Sequence, residues 1–286
     1  MDVITFVDRP RLRTPPLICA FRGWNDGGEA ASSAATYLVE RWGGRPIASL
    51  DPEEFYDFQV TRPTVKLEDG VTRMIEWPRG EFFHADVDGR DVVVFVAYEP
   101  NVRWRTFAEA VVGAARTMGS ELLVTLGAFL TDVPHSRPVP VVGSAASEEV
   151  TERLGLSRSQ YEGPTGITGV LHDASNRSGL ASVSLWAAVP HYLPSGPNPK
   201  AALALAQRAA ALLELPLDTE PMQTQIAAWE AEVHDLIDGS DELSEYVDRL
   251  ESVVDAGGGM AAPQPIPNAD AIAAEVERFL REQGSS

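Results

Sequence analysis

The polar side chains of this sequence that could bind or transform a ligand follow three apolar segments with the composition of buried strands. They are Arg22, Trp24, Asn25 and Asp26 after Leu17–Phe21, Glu99 after Val92–Tyr98, and Asp132, His135 and Arg137 after Leu122–Leu126. In parallel α/β sheets, ligands bind outside the carboxyl ends of the strands. These side chains are therefore the first candidates for a ligand site or an interface.

The first of these turns, Arg22-Gly23-Trp24-Asn25-Asp26-Gly27-Gly28, leads directly into a predicted helix, Glu29–Arg41. A helix N-terminus presents free backbone N–H groups and the positive end of the helix dipole, so it suits an anion. The turn nevertheless carries Asp26 and is followed by Glu29, and it contains no lysine. Its geometry favours a ligand, whereas its charge argues against a phosphate.

The motifs of the common catalytic mechanisms are missing from the sequence. It contains no G-x-x-x-x-G-K-[ST] loop, no G-x-G-x-x-G after a strand and no G-x-S-x-G. Its five histidines include no i, i+4 pair, and H-E-x-x-H and C-x-x-C are absent, so neither a metal nor a cofactor is predicted. Glu99 is the best-placed acid, but one carboxylate is not a mechanism. Thr165, in the turn 163–169, is expected near a helix cap or in a loop that lines a ligand.

The charge of the chain restricts its partners. The 286 residues carry a formal net charge of −19, and such a surface repels nucleic acid and anionic lipid. No apolar run approaches the ~20 residues that a membrane helix needs. The one cysteine, Cys19, lies within an apolar strand and is expected to pack as a small hydrophobic residue. We therefore predict a cytoplasmic protein that binds neither nucleic acid nor membrane.

Strand and helix patterns alternate over residues 1–215, which predicts an α/β core domain with a mixed, mainly parallel sheet. Three further strands are expected at Pro46–Leu50, Val139–Ser144 and Ala181–Val189, and an Asp-Gly turn predicts a β-hairpin over Val65–Met74. The helices expected after Glu29–Arg41 are Arg103–Met118, Glu148–Leu154, Gly166–Asn176 and Pro199–Leu215.

The chain changes character after residue 215. Apolar residues at helical spacing predict an acidic helical hairpin over 216–255, and from Glu214 to Asp255 there are 13 acidic residues against one basic residue, Arg249. The composition of 256–268 predicts a flexible linker. A short amphipathic helix is expected over 269–283, and its apolar stripe could dock on the chain itself or on another protein. That stripe is Ile272, Val276, Phe279 and Leu280.

Aromatic and arginine side chains alternate between residues 55 and 79. Tyr56, Arg62 and Trp77 belong to this region, and the alternation predicts an irregular strand over 55–63. Large amphipathic side chains of this kind are typical of protein interfaces. Packing into the core is the alternative interpretation.

Several of these segments, taken in order, resemble the proteasome-assembly-chaperone family, in the branch named for its second chaperone, and a bacterial, actinobacterial-type member of it. The matching stretches are Phe21 to Ala31, Phe55-Tyr56-Asp57-Phe58 with Arg62-Pro63, Trp77-Pro78, Gly163 to Gly169, and Pro190-His191-Tyr192 with Pro197-Asn198-Pro199. The resemblance implies a three-layer α/β sandwich similar to the nucleoside phosphorylase and hydrolase folds, to which the residue pattern after 215 adds a C-terminal helical extension. It also implies oligomerisation and a role in protein assembly, with no established catalytic residues.

Two functional hypotheses follow. The first is a non-catalytic homo-oligomeric protein, with three copies as the expected number, that acts like an assembly chaperone on proteasome subunits or on another protein. The second is an enzyme acting on a small molecule, either phosphorylase- or hydrolase-like or a ligase of the ATP-grasp type. The ligase would need lysines for ATP phosphates, and the sequence contains only Lys66 and Lys200.

Overall fold

The computed structural model describes residues 3–145, 148–154, 156, 161–193 and 196–257. Its ten strands are β1 (Ile4–Phe6), β2 (Leu17–Arg22), β3 (Arg45–Leu50), β4 (Thr64–Glu68), β5 (Thr72–Glu76), β6 (Gly80–Val87), β7 (Arg90–Tyr98), β8 (Leu122–Thr131), β9 (Val141–Ala145) and β10 (Ala181–Pro190). Its seven α-helices are α1 (Ala30–Arg41), α2 (Trp104–Thr117), α3 (Glu148–Leu154), α4 (Ile167–Ser178), α5 (Pro199–Leu212), α6 (Glu220–Asp238) and α7 (Asp241–Asp255). These counts refer to the described part of the chain.

Eight of the strands form one mixed sheet in the order β1-β3-β6-β7-β2-β8-β10-β9. The four central strands, β7, β2, β8 and β10, are mutually parallel, whereas the strands on either side are antiparallel to their neighbours. The carboxyl ends of the four central strands therefore lie along one edge. We call this edge the carboxyl edge.

The sheet is covered on both faces, so the protein is a three-layer α/β sandwich. Side chains alternate between the two faces of a strand. Along β2, Ile18 and Ala20 pack on the side of α1 and α5, while Leu17, Cys19 and Phe21 pack on the side of α2 and α4. The continuous apolar runs of the central strands reflect this double burial. Cys19 is completely buried, and burial raises the pKa of its thiol.

Residues 55–63 do not form the irregular strand that the sequence predicts. A short 3₁₀ turn, Pro52–Glu54, precedes them, and Asp51 caps it by accepting a hydrogen bond from the Glu53 amide. Phe55 is then buried edge-on against Phe107 of α2, with ring centroids 5.2 Å apart. The N–H groups of Val60 and Thr61 then donate hydrogen bonds to the Asp57 carbonyl oxygen (2.9 and 2.8 Å), so this segment is a turn held on the core by Phe55 and not a strand.

Strands β4 and β5 pair only with each other and form a separate two-stranded sheet. Asp69 and Gly70 occupy the turn with left-handed φ values of 53° and 73°, as expected for a tight hairpin built on Asp-Gly. All ten residues of the two strands are exposed. We call residues 60–79 the β-arm.

Helices α6 and α7 form an antiparallel pair, which we call the helical hairpin. The break between them falls at Gly239 and Ser240, and the Ser240 hydroxyl accepts a hydrogen bond from the Leu243 amide at the start of α7. The hairpin is joined to the core by a small apolar cluster that contains Val233, Ile237 and Val247. Most of the predicted linker and the final helix, with its stripe Ile272, Val276, Phe279 and Leu280, lie outside the described residues.

Candidate functional site

The polar residues predicted from the sequence fall into three groups in the structure. Arg22, Trp24, Asn25, Asp26, Glu99 and Thr165 lie around the ends of β2 and β7 and the start of α4. Asp132, His135 and Arg137 lie in the loop after β8, against the helical hairpin. Tyr56, Arg62 and Trp77 belong to the β-arm or its base. The structure therefore does not bring all of the predicted residues into one cleft.

Asp26 occupies the N-terminus of α1. One of its carboxylate oxygens accepts hydrogen bonds from the amides of Ala31 (2.7 Å) and Ser32 (3.1 Å), and the other accepts one from the Ser32 hydroxyl (2.6 Å). Burial raises the pKa of Asp26, and the hydrogen bonds from Ser32 and Ala31 partly offset that effect. The free N–H groups that would attract an external anion are thus bound by the chain's own carboxylate.

Glu99 caps the N-terminus of α4. Its Oε1 accepts hydrogen bonds from the backbone N–H of Ile167 (2.9 Å) and from the side-chain amide of Asn25 (2.8 Å). Asn25 is completely buried, and its Oδ1 accepts a hydrogen bond from the Thr168 hydroxyl (3.2 Å). The acid that sequence reasoning ranked as the best catalytic candidate therefore joins β7 and the β2 turn to α4.

Thr165 directly precedes the N-cap of α4, and its side chain does not cap the helix. The N-cap position belongs to Gly166, which makes no side-chain hydrogen bond, and the Thr165 hydroxyl reaches only the Gly166 carbonyl oxygen at 3.5 Å. Gly166 is required there because an added Cβ would lie 2.3 Å from Asn25 Oδ1. The close approach of this glycine to Asn25 leaves no space for a ligand between them.

Arg22 and Trp24 are exposed members of the first group, at the end of β2. The Arg22 guanidinium lies 5.5 Å from the centroid of the Tyr98 ring and donates a hydrogen bond to its hydroxyl (3.3 Å). The Tyr56 hydroxyl donates to the Tyr98 carbonyl oxygen (3.2 Å), and burial raises the pKa of Tyr56. Trp24 is 54% exposed, so this corner of the carboxyl edge presents aromatic and arginine side chains to solvent.

The loop after β8 binds the helical hairpin. Arg137 forms a two-pronged ion pair with Asp255 of α7 (2.9 and 2.7 Å) and also contacts Glu251 (3.3 Å). Asp132 accepts a hydrogen bond from the Tyr246 hydroxyl (2.8 Å). Hydrogen bonding to Asp255 raises the pKa of Arg137 and lowers that of Asp255.

His135 lies beneath the hairpin. Its Nδ1 is hydrogen-bonded to the Tyr192 hydroxyl at 2.9 Å. Its carbonyl oxygen accepts a hydrogen bond from Lys200 Nζ (2.8 Å), which also pairs with Glu230 of α6 (2.7 Å). Burial lowers the pKa of His135, and the nearby Lys200 charge lowers it further. The same burial raises the pKa of Tyr192 to about 12.

The β-arm carries the remaining candidates. Arg62 and Trp77 are both exposed, and Trp77 packs on Phe58 with ring centroids 4.8 Å apart. Among the residues that the structure describes, no group of three or more His, Cys, Asp or Glu side chains could hold a metal ion. None of the described helices combines the length and the apolar character needed to cross a membrane.

The family model for the "PAC2 family" matches residues 20–237, more than half of the chain. The chain belongs to the PAC2 family. The crystal structure of a PAC2 family protein from Streptomyces avermitilis is 44% identical, covers 82% of this chain and 99% of its own, and superposes with a TM-score of 0.75. None of the curated proteins matches the chain significantly.

Two other solved structures are similar to this PAC2 protein. A Mycobacterium tuberculosis proteasome-assembly chaperone homologue is 43% identical, with coverage of 81% of this chain and 99% of its own and a TM-score of 0.73. PbaB from Pyrococcus furiosus, an archaeal proteasome activator, is 17% identical, with coverage of 82% and 99% and a TM-score of 0.66. At that identity PbaB shows a shared fold alone.

Sequence reasoning about this PAC2 protein missed the residues that hold the helical hairpin. They are Tyr192, Lys200, Glu230, Tyr246, Glu251 and Asp255. The charge imbalance of the hairpin was the one sequence signal for these contacts. Because the hairpin contains a single arginine, ion pairs to its other carboxylates have to come from basic residues elsewhere in the chain. The sequence could not identify Arg137 and Lys200 as those partners, since the contacts span 118 and 30 residues.

Proposed function

We propose that this PAC2 protein is a non-catalytic, homo-oligomeric protein that binds proteasome subunits and assists their assembly. The observation that supports this most directly is the use of the polar residues at the carboxyl edge. Asp26 and Glu99 cap helices, and Arg137 and Asp132 bind the helical hairpin. These four side chains, the ones on which an enzyme would depend, therefore make hydrogen bonds and ion pairs inside the protein.

The exposed surface supports a protein partner. Apolar side chains of the β-arm and Trp24 at the carboxyl edge are in contact with solvent, and exposed apolar surface of this kind is typical of interaction sites. Membership of the PAC2 family and the likeness to the mycobacterial proteasome-assembly chaperone homologue favour proteasome subunits as that partner. A cytoplasmic location follows as part of this proposal.

The test is an assembly reaction with purified proteasome α and β subunits. We expect the full chain to co-elute with one of the two subunits, or with a partly assembled ring, on size-exclusion chromatography. We also expect it to change the rate at which complete particles appear on a native gel. If the protein binds neither subunit and leaves the rate unchanged, the proposed function is wrong.

The role of the predicted C-terminal helix is tested in the same assembly reaction with a substitution in its apolar stripe. We propose that its apolar stripe contributes to partner binding, because a short amphipathic helix on a linker needs a surface on which to fold. Phe279→Asp in the full chain should weaken co-elution, whereas Gln283→Asp, outside the stripe, should not. Equal binding by both variants would show that the apolar stripe of the helix does not contribute to partner binding.

A further inference from the structure

The β-arm has one apolar face that no described residue covers. Opposite residues of an antiparallel pair share a face, and the register pairs Val65 with Ile75 and Leu67 with Arg73. Val65, Leu67 and Ile75 are 58%, 60% and 55% exposed. A two-stranded hairpin is at best marginally stable alone in water. The arm therefore needs a surface on which this face can pack.

The charge of the β-arm indicates what that surface is. Residues 60–79 contain four basic and three acidic side chains, in a chain whose net charge is −19. Lys66 pairs with Glu76 (2.7 Å) and Arg79 with Glu81 (3.9 Å), whereas Arg62 and Arg73 make no ion pair with any described residue. Arg73 lies on the apolar face itself. The arm thus suits an acidic surface that also offers apolar contact.

The outer side of the helical hairpin has that character. Residues 220–255 contain eleven acidic residues and one arginine. Glu230, Glu251 and Asp255 are paired with the core. The exposed acidic residues without an ion pair among the described residues are Glu220, Glu232, Asp235, Asp241, Glu242, Glu245 and Asp248. Leu236, 44% exposed, and Asp235 follow Glu232 on α6 by four and three residues, so each is a neighbour of Glu232 on the helix surface.

The two surfaces lie on opposite sides of the same edge. The β-arm leads into β6, whose residue Glu81 pairs with Val96 near the carboxyl end of β7. The helical hairpin sits on the loops that follow β8 and β10, on the far side of β2. A contact between two different patches on opposite sides of a protomer is heterologous, and it closes into a ring when the rotation allows.

We propose that the β-arm of one copy binds the outer acidic face of the helical hairpin of the next copy, with Arg73 facing Glu232 and Asp235. This inference rests on the homo-oligomeric part of the proposed function and names its two surfaces. If each copy makes this contact with the next, the copies close into a ring, and we expect that ring to contain three copies. The interface combines apolar burial with charge, so salt weakens it but does not abolish it.

The test uses two full-length variants with complementary defects. The arm variant is Leu67→Asp/Arg73→Glu, and the receptor variant is Glu232→Arg/Asp235→Arg. All four side chains are exposed and make no described ion pair with the core, so each variant should remain folded, with the far-UV circular dichroism spectrum of the wild type. Glu109→Arg, an exposed position on α2, is the matched charge-reversal control. Mass is measured by light scattering after size-exclusion chromatography.

We expect wild type and the control to elute as one closed oligomer, and each variant alone to be monomeric. An equimolar mixture should give a species of twice the chain mass of 30.9 kDa, because one intact arm then meets one intact receptor. A monomeric wild type, an oligomeric receptor variant or a mixture that stays monomeric would overturn the proposal. The assembly reaction with proteasome subunits is scored separately, so a failure here does not decide that function.

Discussion

Replacing His172 is the most direct test of how α4 packs on the sheet. The ring lies largely buried beneath the helix, and its Nε2 is hydrogen-bonded to the Thr125 hydroxyl at 2.9 Å. The Thr125 hydroxyl in turn donates to Ser184 on β10 (3.2 Å). Burial lowers the pKa of His172 to about 4 from an ordinary value of 6.5. The folded protein therefore keeps this ring neutral at pH values where the unfolded chain protonates it.

The sign and size of the effect follow from proton linkage. As the pH falls below about 6.5, the unfolded state binds a proton at His172 that the folded state does not, so stability is lost. Each pH unit of pKa difference corresponds to about 1.4 kcal/mol, and the difference of about 2.5 units sets an upper limit of about 3.4 kcal/mol. Between pH 7 and pH 5, the expected loss from this residue is about 2 kcal/mol.

The assay is urea unfolding of wild type and His172→Gln at pH 7 and pH 5. Glutamine keeps a polar group near Thr125 but does not titrate, so the variant should lose about 2 kcal/mol less than the wild type over this interval. Asn176→Gln is the control, because Asn176 is an exposed, non-titrating residue on the same helix and its replacement should leave the wild-type pH dependence unchanged. Equal losses for wild type and His172→Gln would refute the reasoning.

Substitutions at three further residues test whether the polar side chains of the carboxyl edge hold the chain together. Glu99→Ala should destabilise the protein by about 2–4 kcal/mol, because two buried donors lose their acceptor, and Glu99→Gln should cost about half as much; urea unfolding measures both. Asp26→Ala should cost about 1–2 kcal/mol as a lost helix cap, whereas Asp26→Asn should recover part of that in thermal melts. Arg137→Ala should speed hydrogen exchange in α7 several-fold and leave exchange in β2 unchanged.

The elements that were predicted well are those that local residue patterns indicate. The continuous apolar runs of β2 and β7 predict strands covered on both faces, and the structure covers both. The Asp-Gly turn predicted the hairpin of β4 and β5, because only a few residue types accept the left-handed backbone of such a turn. Strand β8 extends to Thr131, beyond the predicted Leu126, because Gly127 leaves room for the Trp186 ring.

The candidate site was less predictable because its contacts join distant parts of the chain. Glu99 reaches Asn25 and Ile167 across 74 and 68 residues. The pattern around each residue shows only that it follows a strand or opens a helix. Whether a carboxylate there binds a ligand or a backbone N–H depends on the distance between the start of α4 and the turn after β2. That distance is short here because Gly166, which lacks a side chain, packs directly against Asn25. Spacing alone contains no information about that distance.

The placement of the charges explains why the carboxyl edge, where α/β folds bind ligands, has its anion-attracting positions filled by side chains of the protein itself. An α/β sheet concentrates helix N-termini at its carboxyl edge, and each one attracts a negative group. In this chain Asp26 and Glu99 supply those groups from within, and the acidic hairpin neutralises Arg137 in the loop after β8 and Lys200 at the start of α5. With these positive positions occupied, the exposed features at this edge are the β-arm, Trp24 and the outer acidic helices. In the proposed function these features bind other polypeptides, so substitutions there should change assembly before they change stability.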